Sequence, residues 1–189
     1  MNAWHMGRIG AALLVLGGAI ESAAYGAGSM ISLPSTAPLG ATLLVAYPLG
    51  LALTGAGLIA TGIASAVRGR IPLALAGVLA VLGAAVEGVE AGVGSPFGPA
   101  PAQAVVLLLV LLLVIAAARR LSDTRLPATA RWAIAVPAIC FVLDLAAVWV
   151  PAVPLQGSVV LPWVGTAVAG VLLLHTARSA RTVALPLQG

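Results

Sequence analysis

Fifteen residues, Val81 to Ser95, read VLGAAVEGVEAGVGS and set two carboxylates, Glu87 and Glu90, inside an otherwise unbroken apolar run. An ionisable side chain at membrane depth is costly, so its surroundings must hydrate it, neutralise it or pair it. The stretch has an echo near the N-terminus, VLGGAIESAAYGAGS from Val15 to Ser29, identical at eight of fifteen positions, with Glu21 aligned to Glu87. A repeated, carboxylate-bearing apolar helix is therefore the feature that any fold of this chain has to accommodate.

The remaining residues point to a bilayer. Of 189 residues 61% are hydrophobic and 7% charged, and the mean hydropathy is +1.15. That leaves too little polar surface to coat a water-soluble globule. The formal charge of +4 comes from nine arginines against five acids, with no lysine. These arginines sit in short loops without a basic stripe or interleaved aromatics, which argues against nucleic acid as a partner. A lone cysteine, Cys140, excludes an internal disulfide or a redox pair. With His5 and His175 the only histidines, heme and zinc are short of ligands, and no particular cofactor is implied.

A spanning helix needs about 20 apolar residues. Six stretches qualify as spans: 9–28, 40–67, 71–93, 102–118, 132–150 and 159–177. The expected fold is all-α, a single membrane domain over residues 1–189, with six transmembrane helices arranged as three hairpins. The first stretch has a rival reading as a signal peptide, since Ser22 and Ala24 follow its apolar run in a cleavage-like pattern. Against that reading stands the echo, because a discarded leader has no reason to resemble a later helix.

Every arginine lies at the N-terminus, between spans two and three, between four and five, or at the C-terminus. The other three loops are uncharged and contain proline. By the positive-inside rule both termini are cytoplasmic, in a multi-pass protein of the cell membrane. Seven of eight aromatics, among them Tyr25, Tyr47, Trp132 and Trp163, fall near span ends, as an interfacial belt would.

Arg8, Arg70 and Arg131 are 62 and 61 residues apart and open three similar units. Each ascending helix then carries an acid: Glu21, Glu87 with Glu90, and Asp144. At about 1.5 Å per residue, Glu21 and Asp144 lie roughly 20 Å and Glu87 roughly 26 Å above the arginine boundary. Small residues every fourth position, Gly18, Ser22 and Gly26 in one unit and Ala84, Gly88 and Gly92 in the next, predict that spans one and three pack through these stripes. Spans one, three and five would then line a central space, with Pro137 bending span five and Cys140 on the face of Asp144.

No basic residue lies within any span. The acids must be protonated, hydrated in a cavity or bound to a cation. The leading expectation is a small transporter or substrate-binding membrane subunit with an outward-facing site at Glu21, Glu87, Glu90 and Asp144 for a cation or a proton-coupled solute. Among metals, hard cations such as calcium or magnesium would suit an all-carboxylate site. Two other classes fit the same residues. A structural or assembly subunit would pair its acids with a partner membrane subunit or in a homo-oligomer. An intramembrane enzyme, a cyclase or isomerase acting on a lipid or isoprenoid, would use Asp144 or Glu87 as its acid.

Overall fold

The computed structural model describes residues 3–30, 38–65, 69–93, 100–149 and 160–184, and it is all-α among them. Six helices follow in order: α1 (Ala3–Met30), α2 (Pro38–Ala64), α3 (Arg70–Val93), α4 (Ala100–Leu121), α5 (Ala128–Trp149) and α6 (Leu161–Ala184). Five of them, α1 to α5, contain stretches long and apolar enough to cross a membrane; in α6 the apolar stretch, Leu161–Ala177, is shorter.

Side-chain placement is inside out relative to a water-soluble protein. Large apolar side chains such as Leu16, Val45, Ile63, Leu82, Leu107, Leu111, Leu143 and Val171 are exposed along the outer faces. The buried set includes Glu21, Thr54, Thr61, Arg120 and Thr166. A continuous apolar exterior is what lipid requires and water penalises. Two hydroxyls return to their own helix, Ser22 Oγ donating to the Gly18 carbonyl at 2.6 Å and Thr166 Oγ1 to the Pro162 carbonyl at 2.9 Å, whereas Thr54 Oγ1 and Thr61 Oγ1 are buried without a hydrogen-bond partner among the described residues. Such back-bonding is the usual way a hydroxyl is accommodated in a helix.

The six helices close into a ring. Each packs against its neighbours in the chain, and α6 completes the circuit by packing on α1. Adjacent helices run antiparallel, as paired positions show: Gly10 lies by Thr61 and Gly17 by Thr54 between α1 and α2, and Gly18 lies by Ala167 while Gly170 lies by Ala11 and Val15 between α1 and α6. Backbone contact makes these glycines necessary. A Cβ at Gly17 would come within 2.6 Å of the Thr54 amide nitrogen, and one at Gly18 within 2.6 Å of the Trp163 carbonyl oxygen. Lacking a hydrophobic drive between helices in lipid, association depends on such close approach. Between α2 and α3 the chain turns at Gly69, whose φ of +92° is left-handed and suits glycine alone.

This arrangement corrects the predicted pairing of the first and third helices. The stripe Gly18, Ser22, Gly26 does not seat α3: Gly18 packs on α6, and nothing lies within 4 Å of a Cβ placed at Gly26. Gly88 of α3 approaches Pro48 of α2. A small-residue stripe announces that some backbone comes close, and for Gly18 that backbone is the one of α6.

The lower half of the ring, the half bearing Arg8, Arg70 and Arg119, is sealed off from the upper half by Leu14, Leu58, Leu73, Leu113 and Ile134, all buried. Only about 10 Å³ of free space remains in the adjoining layer of Leu14, Leu58, Leu113, Pro137 and Phe141. The upper half is hollow, and the site lies there.

Candidate functional site

All six helices contribute to a cavity of about 200 Å³ in the upper half. Tyr25 comes from α1, Leu51 from α2, Gly83, Val86 and Glu87 from α3, Val105 and Leu109 from α4, Phe141, Asp144 and Leu145 from α5, and Pro162 and Trp163 from α6. The predicted central space therefore exists with a different lining: odd-numbered helices supply the acids, and even-numbered helices supply apolar wall and an indole.

Glu87 and Asp144 line this cavity directly. Glu21 stands behind Tyr25, one helical turn below it, and is 1% exposed. Its side chain lies against the backbone of α2 at Gly50, where a Cβ would come within 2.7 Å of Glu21 Cγ. The carboxyl follows the same stretch of α2, with Oε1 within 3.1 Å of where that Cβ would stand. Tyr25 lines the same cavity as Glu87 and Asp144 and follows Glu21 by four residues on α1. The three acids that the sequence sets on alternate helices are thus gathered around one tyrosine. The backbone of Glu90 belongs to α3, but its side chain lies outside the described residues.

Two carboxylate oxygens, Glu21 Oε2 and Asp144 Oδ1, are buried without a hydrogen-bond partner among the described residues. Leaving such an atom unsatisfied costs on the order of 1–3 kcal/mol, more when charged. The cavity lining includes no basic side chain among the described residues. Arg8, Arg70, Arg119, Arg120 and Arg131 all fall at the opposite helix ends. The same residues hold no cluster of three or more His, Cys, Asp and Glu side chains placed to bind a metal ion.

An aromatic wall completes the site. Tyr25 and Trp163 stack with ring centroids 5.9 Å apart and planes 7° from parallel, and Phe141 meets Trp163 edge-on at 5.4 Å. Tyr47 tilts against Tyr25 at 4.7 Å and is held there by its hydroxyl, which donates to the Ala24 carbonyl at 3.1 Å. Sequence reasoning placed Tyr25, Tyr47 and Trp163 near span ends as an interfacial belt; the structure turns Tyr25 and Trp163 into the cavity lining, with Trp163 8% exposed, while Tyr47 is half-buried outside that lining. Trp132, 51% exposed, does face outward. One signal for the inward set was available: Glu21 and Tyr25 are i and i+4 and must share a helix face.

Span five also departs from expectation. Cys140 and Pro137 face α6, where a Cβ on Gly165 would meet Cys140 Sγ at 2.8 Å and Pro137 Cα at 3.3 Å. Asp144 enters the cavity while Cys140 packs against a neighbour.

Comparison of the chain with protein-family models, with curated proteins and with solved structures gives no match. The site's own chemistry is therefore the basis for any functional reading.

Proposed function

We propose that this chain is a six-span integral membrane protein, with both termini cytoplasmic, that binds a small organic monocation in its upper cavity as a transporter or as the binding subunit of one. The observation that carries this reading is the meeting of Glu87 and Asp144, from alternate helices, in a cavity walled by Tyr25, Phe141 and Trp163, with Glu21 buried one helical turn below Tyr25. Carboxylates supply the counter-charge, and aromatic faces attract a cation over the ring by about 0.5–2 kcal/mol each. A mostly apolar lining favours an alkylated ammonium over a strongly hydrated metal ion, which would need a dense oxygen cage. The volume of about 200 Å³ lies below the ~300 Å³ lower end of ordinary small-molecule pockets, so the cation is small.

The orientation follows from the positive-inside rule, with the arginine end cytoplasmic and the cavity toward the outer side. In that orientation the closed lower half separates the cavity from the cytoplasm, which is the outward-facing arrangement of an alternating-access carrier. Coupling to protons is a natural extension, because a carboxyl that releases its cation in an apolar bundle takes up a proton in its place.

Titrating purified full-length protein with tetraethylammonium chloride, against sodium chloride at equal ionic strength, tests the reading. Saturable binding is expected for the wild type. In Glu87→Gln with Asp144→Asn the affinity should fall at least tenfold, about 1.4 kcal/mol by the affinity relation. Equal binding by wild type and double variant would refute the site.

A further inference from the structure

We propose a second site at the arginine end of the ring, where Arg120 binds a phosphate oxyanion. Neighbouring arginines at the end of α4 have opposite fates: Arg119 is exposed, and Arg120 is 3% exposed and turned into the ring. There it lines an open pocket of about 280 Å³ together with Trp4, Gly7, Thr61, Ser65 and Thr176. A guanidinium carries five N–H donors and no acceptor. One goes to Ser65 Oγ at 2.7 Å, and Ser65 in turn donates to the Thr61 carbonyl. The Nε–H is buried without a partner.

A buried cation with a donor to spare requires an acceptor, and the described protein groups around it do not provide an anionic one. Asp123, the acid nearest in sequence, accepts the Arg125 backbone N–H at 3.2 Å. Glu21, Glu87 and Asp144 lie at the opposite end of the ring. Positive charge is instead increased here: Arg8 sits over the Trp4 ring with its Cζ 4.7 Å from the centroid, and Trp4 forms part of the pocket wall. A planar, weakly hydrated guanidinium matches phosphate geometry, and its side-on edge makes two parallel bonds to such an oxyanion. Either a free phosphate or the headgroup of an anionic phospholipid at the membrane boundary carries this chemistry.

The test uses the full-length protein and two probes. In neutral detergent, the unfolding temperature is measured with inorganic phosphate against chloride at equal ionic strength. In bilayers, it is measured in phosphatidylcholine with and without phosphatidylglycerol. Two variants accompany the wild type. Arg120→Gln removes the charge. Gly7→Leu obstructs the pocket and leaves Arg120 intact, since a Cβ at Gly7 meets only Ala64 Cβ, at an ordinary 3.7 Å.

An upward shift of several degrees for the wild type with either probe, reduced by half or more in both variants, is expected. A response to phosphate alone identifies the free anion, and a response to phosphatidylglycerol alone identifies the lipid; both support the site. No shift with either probe overturns it, as does an equal shift in wild type and Gly7→Leu, which decides the matter even where Arg120→Gln fails to fold.

Discussion

Along the seam between α1 and α2 the two halves of the ring use glycine for opposite purposes. In the lower half Gly10, Gly17 and Gly57 remove side chains so that α1 and α2 can touch, and the layer inside them fills with Leu14, Leu58, Leu113 and Ile134. In the upper half Gly50 removes a side chain so that a carboxyl can lie where a methyl would be. Below, the missing atoms create contact between backbones. Above, they create room for Glu21. The same residue type therefore closes one half and furnishes the other, and substitutions should separate the two roles.

The largest expected effect is in the closed half. Gly17→Leu forces a side chain into the Thr54 backbone, and overpacking of this kind costs about 1–3 kcal/mol or more. Thermal unfolding in detergent should show a markedly lowered midpoint or loss of the folded species, whatever ligand is present. A midpoint equal to wild type would break the claim that α1 and α2 are in backbone contact.

Gly50→Ala is the intermediate case. Its methyl competes with Glu21 Cγ for one volume, so a cost near the lower end of about 1–3 kcal/mol is expected. In contrast to Gly17→Leu, much of this loss should be recovered by adding Glu21→Ala, because the clash is with one side chain. A double-mutant cycle measures that recovery directly, and additive losses would show that Glu21 does not rest on Gly50.

The smallest effect belongs to the aromatic wall. Trp163→Leu keeps an apolar surface and removes one π face, so tetraethylammonium affinity should drop by about 0.5–2 kcal/mol. An unchanged affinity would leave the carboxylates as the sole determinants of cation binding.

Much of this was legible in the sequence for plain reasons. Apolar runs of spanning length specify helices almost regardless of context, and acids within them stand out because they are expensive. Hence the all-α fold and the acids Glu21, Glu87 and Asp144 could be named from composition and spacing. Adjacency could not. The fourfold spacing of Gly18, Ser22 and Gly26 shows that α1 has a smooth face, but a face has no label for its partner, and the ring gives it to α6. Aromatics failed for a related reason. Depth along a helix can be counted from its ends, and Tyr25 and Trp163 do lie near span ends; rotation about the helix axis decides lipid or cavity, and it depends on which neighbours a helix has. Arg120 was read with Arg119 as a pair of boundary charges, although consecutive helical residues point about 100° apart.

Because contacts run from each helix to the next, with α6 returning to α1, assembly has a built-in last step. Five of the six interfaces join consecutive helices, and such local contacts carry little loop-closure penalty. The sixth joins α1 to α6 across the whole chain, and it brings Trp163 over Tyr25. Until α6 is in place the cavity is a trough with one wall missing. The helix that follows the other five in the chain is thus the one that converts an open sheet of helices into a vessel.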